Sequence, residues 1–195
     1  MTYNFPNFPI AGYGHCRHWR QPVQVGRYTI TCSGHFNNPQ HGALLPPYPD
    51  FGIYVMNGWA DVLSQGLWTN GVYLKLVKEQ RPYPALLVDW KDMGGLSPRQ
   101  MNILVTVARN KMKRGNRIDI GCGAGHGRTG TLLACLIGRV EHLDYRIAII
   151  EARKRYCGHA VESMAQEQTV KEYLQKYGLG KWRRLLSRFR KNFSD

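Results

Sequence analysis

The sequence predicts an α/β fold, a central, largely parallel twisted sheet flanked by helices, on three observations. Residues Ala85–Trp90, ALLVDW, form a short apolar run of buried-strand type, and Arg117–Ile120 is a second strand candidate. A stretch with apolar residues at helical spacing lies between them, and another follows the second. Strand, helix, strand, glycine-rich turn and helix, in that order, is the connectivity of a parallel sheet.

Residues 1–50 are rich in Pro, Gly, Asn and aromatics and read as a loop-rich N-terminal arm. Within them Tyr28–Cys32, YTITC, predicts a short strand, and Phe51–Trp59 predicts another just beyond. Ser97-Pro98 supplies an N-cap and a proline at the first helical position. Met101, Leu104, Val105, Ala108 and Met112 then recur at helical spacing, and Gly115 is the stop signal. The segment Thr129–Leu143 is apolar on most faces, which predicts a central helix. Asp144 is the expected cap of a third helix running through Tyr156. Ser163 and Gln166 form a capping-box pattern opening a fourth, to about Tyr177.

The chain has 195 residues, which predicts one domain over 1–195. No apolar run approaches the length of a bilayer span, and MTYNFPNFPIAG lacks the basic-then-apolar order of a secretory signal. Five single cysteines, an odd number, suggest a reducing, cytoplasmic setting and not a disulfide scaffold. The formal net charge of +14 favours anionic partners: phosphate esters, nucleic acid or acidic membranes.

The stretch most informative about chemistry is 118–131, IDIGCGAGHGRTGT. Asp119–Gly125 looks like a methyltransferase cofactor loop, and Gly125–Gly130 satisfies the dinucleotide fingerprint G-x-G-x-x-G. Both require most of a Rossmann-like sheet to follow, with an acidic residue at the end of a second strand. Only 70 residues follow Gly125, and they read as helices and a basic tail. The stretch also nearly matches the Walker loop, but Cys122 replaces its first glycine and Arg128 its lysine.

In the parse Cys-x5-Arg-Thr every side chain has a use. Gly123, Ala124, Gly125, His126 and Gly127 form a turn of mostly small residues whose amides can converge on one tetrahedral anion. Those donors, the following helix dipole and Arg128 favour a thiolate at Cys122. The Arg128 guanidinium can fork two hydrogen bonds to phosphate oxygens. The Thr129 hydroxyl can donate to the cysteine sulfur, and Gly130 lets the helix pack closely.

CGAGHGRTG resembles the signature loop of the protein tyrosine and dual-specificity phosphatase superfamily, His-Cys-x-x-Gly-x-x-Arg-Ser/Thr-Gly. Trp90-Lys91-Asp92, 30 residues upstream of Cys122, is similar to the loop carrying that family's general acid. AVESMAQEQTVKEYL resembles the Val-Glu-x-x-x-Gln segment of compact members. The three matches cover roughly residues 85–177. Gly121 departs from the usual histidine, and Lys91 from the usual proline.

The resemblance implies a two-step phosphoryl transfer without cofactor or obligate metal. Cys122 attacks phosphorus, Arg128 and the loop amides hold the oxygens, and Asp92 is acid and then base. Asp89, inside the apolar strand, is the rival acid. The implied substrate is a phosphorylated protein carrying phosphotyrosine, with phosphoserine and phosphothreonine as an extension. A phosphoinositide or RNA 5′-phosphatase with the same chemistry, and a catalytically weak phosphate-binding module, remain as alternatives.

Other residues keep two readings. His126 is either a substrate contact at the loop mouth or a solvated loop histidine. Gln166 serves the capping box or, as in related enzymes, positions water. His15, Cys16, His18, Cys32 and His35 have irregular spacing for zinc and default to strand and loop positions. Cys135 and Cys157 read as packing residues. The tail 181–195, KWRRLLSRFRKNFSD, has six basic residues and one acidic, with Trp182, Leu185, Leu186 and Phe189 at helical spacing. It is a basic amphipathic segment for an anionic membrane or nucleic acid, or one that docks on the domain.

Overall fold

The computed structural model describes residues 20–34, 47–56, 67–69, 72–77 and 83–178. Among them one sheet contains β1 (Gln21–Val25), β2 (Tyr28–Gly34), β3 (Phe51–Met56), β4 (Leu67–Thr69), β5 (Val72–Val77), β6 (Ala85–Asp89) and β7 (Ile118–Cys122). Their order is β1-β2-β7-β3-β6-β5-β4. The four central strands, β2, β7, β3 and β6, are mutually parallel. β1 on one side, and β5 and β4 on the other, pair antiparallel. The predicted parallel sheet is therefore the centre, with antiparallel edges the sequence did not reveal. The predicted strand Tyr28–Cys32 is β2, extended to Gly34, and Gln21–Val25, in the stretch read as loop, is β1, so the two form a hairpin built into this sheet; residues 1–19 and 35–46 lie outside the described residues.

The helices are α1 (Pro98–Lys113), α2 (Gly127–Glu141), α3 (Tyr145–Arg155) and α4 (Met164–Tyr173), the last continued by a π-helical turn over Leu174–Gly178. Ser97 caps α1 in a full capping box with Gln100. Asp144 caps α3 by accepting from the amides of Arg146 and Ile147. α2 is buried from Gly127 to Gly138, as its apolar sequence predicted, and packs against all three other helices. Ile118, Ile120 and Cys122 on β7 share one face with Ile53, Val55, Leu86 and Val88 of neighbouring strands in a single core with the helices.

The other face of β7 is polar at one point. Asp119 is fully buried and accepts from Thr31 Oγ1 at 2.7 Å, Ser33 Oγ at 2.7 Å and Tyr54 Oη at 2.9 Å. Tyr54 reaches it by laying its ring over Gly52, the register partner of Asp119, where any Cβ would meet that ring. Burial pushes the Asp119 carboxyl up, and the three donors oppose the shift. The aspartate of the DIGCGAG motif thus binds strands β2, β3 and β7 together.

β7 begins where Asp50 accepts from the amide of Arg117 at 2.7 Å and pairs with its guanidinium at 3.0 Å. It runs two residues past the predicted end at Ile120, so the strand delivers Cys122 itself. Among the described residues no helix is long and apolar enough to cross a membrane. The basic tail 181–195 lies outside the described residues.

Candidate active site

Cys122 is the last residue of a central parallel strand, the end of the sheet where α/β proteins bind ligands. It is only 2% exposed. The turn Gly123–His126 follows and feeds directly into α2, whose first turn holds Gly127, Arg128, Thr129 and Gly130. α2 begins two residues earlier than the sequence suggested, because Gly127 and Arg128 of the motif are already helical. His126 is the N-cap, but its side chain makes no capping hydrogen bond, so that position leaves the helix N-terminus uncovered.

Arg128 projects from α2 to the acid loop. Its Nη1 donates to the Trp90 carbonyl at 2.9 Å, and its Nη2 lies 3.1 Å from Asp92 Oδ1. The arginine side chain is 8% exposed and the aspartate 66%, so a buried cation meets a carboxylate reaching in from solvent. Arg128 Nε is buried with no hydrogen-bond partner. Among the described residues it is Asp92, not the rival Asp89, that pairs with this arginine.

The loop bearing Asp92 is tied down on three sides. Trp90 Nε1 donates to Gly94 O at 2.9 Å, Gly94 N to Lys91 O at 3.1 Å, and Ser163 Oγ to Met93 O at 2.7 Å. Met93 takes a left-handed backbone, φ +56°, at the apex. Leu96 then exchanges hydrogen bonds with Thr169 on α4.

Two expectations need correction. His126 is neither at the loop mouth nor solvated. Its ring is fully buried, with Nδ1 3.3 Å from Cys157 Sγ and an edge-on contact to His159 at 5.7 Å between centroids. The pair Ser163 and Gln166 closes only half a capping box. Gln166 N donates to Ser163 Oγ at 3.2 Å, but Gln166 Oε1 accepts from Glu162 N, one residue before the cap. That shift turns the amide towards the phosphate loop: a Cβ on Gly127 would collide with Glu162 Oε2 and Gln166 Nε2. Gln166 Nε2 is buried without a hydrogen-bond partner, as is the Thr129 hydroxyl, so Thr129 makes no bond to Cys122 in this state.

The remaining cysteines sort by burial. Cys135 sits in the core of α2, and burial pushes its thiol well up. Cys32, two residues before the register partner of Cys122 on β2, is raised by burial first and then by Asp119 and Cys122. The other members of the suggested zinc cluster, His15, Cys16, His18 and His35, lie outside the described residues.

Gly130 has the close-packing role expected of it. A Cβ there would lie 2.5 Å from Ala160 Cβ and 3.0 Å from Val161 N. Gly130→Ala should therefore lower stability by about 1–3 kcal/mol through overpacking, read as a drop in thermal midpoint. An unchanged midpoint would mean that the 160–161 segment yields freely.

Sequence reasoning missed Tyr156, whose hydroxyl donates to Gly125 O at 2.5 Å, and assigned Cys157 only to packing. Nothing in the spacing of YCGHAV marks either residue; only a tyrosine closing a helix with one buried face hints that its hydroxyl needs an acceptor.

Comparison with known proteins agrees with this geometry. Residues 78–170 match a family model for the phosphatase domain of Swiss Army Knife proteins, of the DSP-PTPase type. An uncharacterized protein of Methanocaldococcus jannaschii is 31% identical over 130 residues, which cover 67% of this chain and 85% of that protein. A second from the same organism is 30% identical over 132 residues, covering 66% and 79%. The crystal structure of Tk-PTP in its active form superposes with a TM-score of 0.62 at 18% identity, over 81% of this chain and 99% of that one. The human tyrosine phosphatase-like serine/threonine/tyrosine-interacting protein gives 0.60 at 12% identity, over 81% and 98%. PTPMT1 in complex with PI(5)P gives 0.50 at 18% identity, over 65% and 77%. These structures share the fold; the family match carries the assignment, the first archaeal relative extends the likeness over 67% of this chain, and a strand-borne cysteine with an arginine in the first turn of α2 agrees with it. The chain belongs to the cysteine-dependent protein tyrosine and dual-specificity phosphatase superfamily.

Proposed function

We propose that this chain, as a single domain, hydrolyses phosphate monoesters on proteins, phosphotyrosine above all, through a cysteinyl-phosphate intermediate. One observation carries the reading: the Arg128 guanidinium lies between the Trp90 carbonyl and Asp92, on the helix that follows Cys122. Nucleophile, anion-binding cation and acid come from β7, α2 and the loop after β6: Arg128 pairs with Asp92, and Cys122 ends the strand that leads through the turn into α2.

In the first step Cys122 Sγ forms a bond to phosphorus as the ester P–O bond breaks, and Asp92, having taken a proton from water once clear of Arg128, gives it to the departing oxygen. The amides of Gly123, Ala124, Gly125, His126 and Gly127, with Arg128, hold the non-bridging oxygens. Asp92 must leave Arg128 for this, and the phosphate dianion takes its place. In the second step Asp92 takes a proton from water, whose oxygen attacks phosphorus and releases the thiolate. Thr129 rotates to donate to that leaving sulfur. Gln166 Nε2, buried beside Gly127 without a hydrogen-bond partner, is suited to hold the attacking water. No step calls for a metal.

A phosphoinositide substrate is the second reading. The net charge of +14 favours it, as does the likeness in fold to PTPMT1, crystallised with PI(5)P. The test is vanadate-sensitive release of p-nitrophenol from its phosphate, followed by a panel of phosphopeptides, phosphoinositides and 5′-triphosphorylated RNA. The protein reading expects phosphotyrosine peptides to give the highest kcat/KM. A higher value for a phosphoinositide moves the assignment to lipid, and no release by folded protein leaves a phosphate-binding module.

A further inference from the structure

We propose that Tyr156 is a positioning residue for the phosphate loop: its hydroxyl fixes the Gly125–His126 peptide so that the His126 N–H points into the anion site. The inference rests on the phosphatase reading above. It begins with a weakness of any glycine-rich cradle. Peptide planes next to glycines turn over at little cost, and a plane that turns over offers the phosphate a carbonyl where it needs an amide. Gly125 is already at φ +81°, in the left-handed region. Some contact has to choose between the two orientations of the next peptide.

Tyr156 makes that contact. It closes α3, is buried, and donates to Gly125 O at 2.5 Å from 31 residues away in sequence. In a trans peptide the C=O and the following N–H point in opposite directions. Holding the Gly125 carbonyl on the Tyr156 side therefore sends the His126 N–H the other way. The flank of the same peptide is held too. His126 Nδ1 meets Cys157 Sγ at 3.3 Å, and that sulfur accepts from His159 N at 3.4 Å. Arg153 ties down the segment beyond, donating to the carbonyls of Ala160 at 3.0 Å and Val161 at 3.1 Å. The connection from α3 to α4 is thus a rigid backing for residues 125 and 126.

Tyr156 is also a dependable donor. Burial, and then nearby Cys32, Cys122, Cys157 and Asp119, push its phenol far above the ordinary range, so it keeps its proton at every working pH.

The experiment uses the full chain, with inorganic phosphate and p-nitrophenyl phosphate as probes. Tyr156→Phe removes one oxygen atom and nothing else. Losing a well-aimed donor to a charged group should weaken phosphate binding roughly 10- to 100-fold. Phosphate and ester are bound by the same amide, so KM should rise with kcat much less affected. A residue that only stabilises the fold would do the reverse, reducing the active fraction and hence kcat at constant KM. Measuring phosphate affinity also in a Cys122→Ser background separates binding from turnover. If Tyr156→Phe does not fold, the His126 amide in ¹⁵N-labelled wild type is the readout, and it should move downfield on phosphate addition. Unchanged phosphate affinity in folded Tyr156→Phe, or a silent His126 amide while other loop amides respond, overturns the proposal and leaves the phosphatase reading intact. Wild-type protein that neither binds phosphate nor releases p-nitrophenol overturns both.

Discussion

Cys122→Ser should reduce turnover of an aryl phosphate by roughly 10⁴-fold or more while leaving inorganic phosphate binding largely in place. The argument starts from the end of β7. The strand stops at residue 122, with its side chain in the shared core face and its carbonyl end entering a turn of small residues. A serine hydroxyl fits the same space, so the turn, the helix N-terminus and Arg128 remain available to an anion. What is lost is the sulfur nucleophile: a hydroxyl holds its proton far more tightly than a thiol and attacks phosphorus far less readily. Binding and chemistry therefore come apart in this one variant. Stoichiometric trapping of phosphorylated substrate by the serine form, read by isothermal titration, is the expected signature. Appreciable turnover by the serine variant would show that another group attacks phosphorus, and the cysteinyl-phosphate mechanism would have to be abandoned.

The parts of this site that are legible in the sequence are those packed into one short run of chain. Cys122, Arg128 and Thr129 span a strand end and the first turn of a helix, so their spacing in sequence nearly fixes their spacing in the fold. Asp92 is legible because its loop joins a buried strand to a helix with strong start signals at Ser97 and Pro98. The backing of the loop is not legible. Tyr156 and Cys157 approach Gly125 and His126 only because α3 runs back along α2, and no local pattern encodes that return. His126 misleads for a related reason. A loop whose amides face an anion must turn its side chains outwards, and in this fold outwards means into the α3–α4 connection. The hairpin of β1 and β2 is half visible: β1 alternates exposed and buried residues but lies in a stretch whose composition reads as loop. Asp119 looks like part of a cofactor motif, because its partners Thr31, Ser33 and Tyr54 come from two other strands.

Asp92→Asn should lower kcat by roughly 10²–10⁴-fold, the usual share of general acid–base catalysis, without weakening inorganic phosphate binding. The second half of this expectation comes from the geometry of the ion pair. Asp92 Oδ1 sits 3.1 Å from Arg128 Nη2, so the acid occupies a hydrogen-bonding position that a phosphate oxygen would claim. An incoming dianion has to displace that carboxylate and also meets its repulsion. An asparagine of the same size keeps the shape and removes the charge, so phosphate should bind as tightly as before or more tightly. With the carboxylate 66% exposed, the pair is well screened by water, and its loss should leave the thermal midpoint nearly unchanged. Opposite signs for kcat and affinity would then come from a single substitution, which a purely structural role for Asp92 does not produce. Asp89→Asn is the natural control, since Asp89 ends β6 three residues earlier and should retain near-wild-type turnover. If Asp89→Asn is the slow variant and Asp92→Asn turns over normally, the acid has been assigned to the wrong carboxylate. The ion pair with Arg128 would then be a mimic of the bound anion and nothing more.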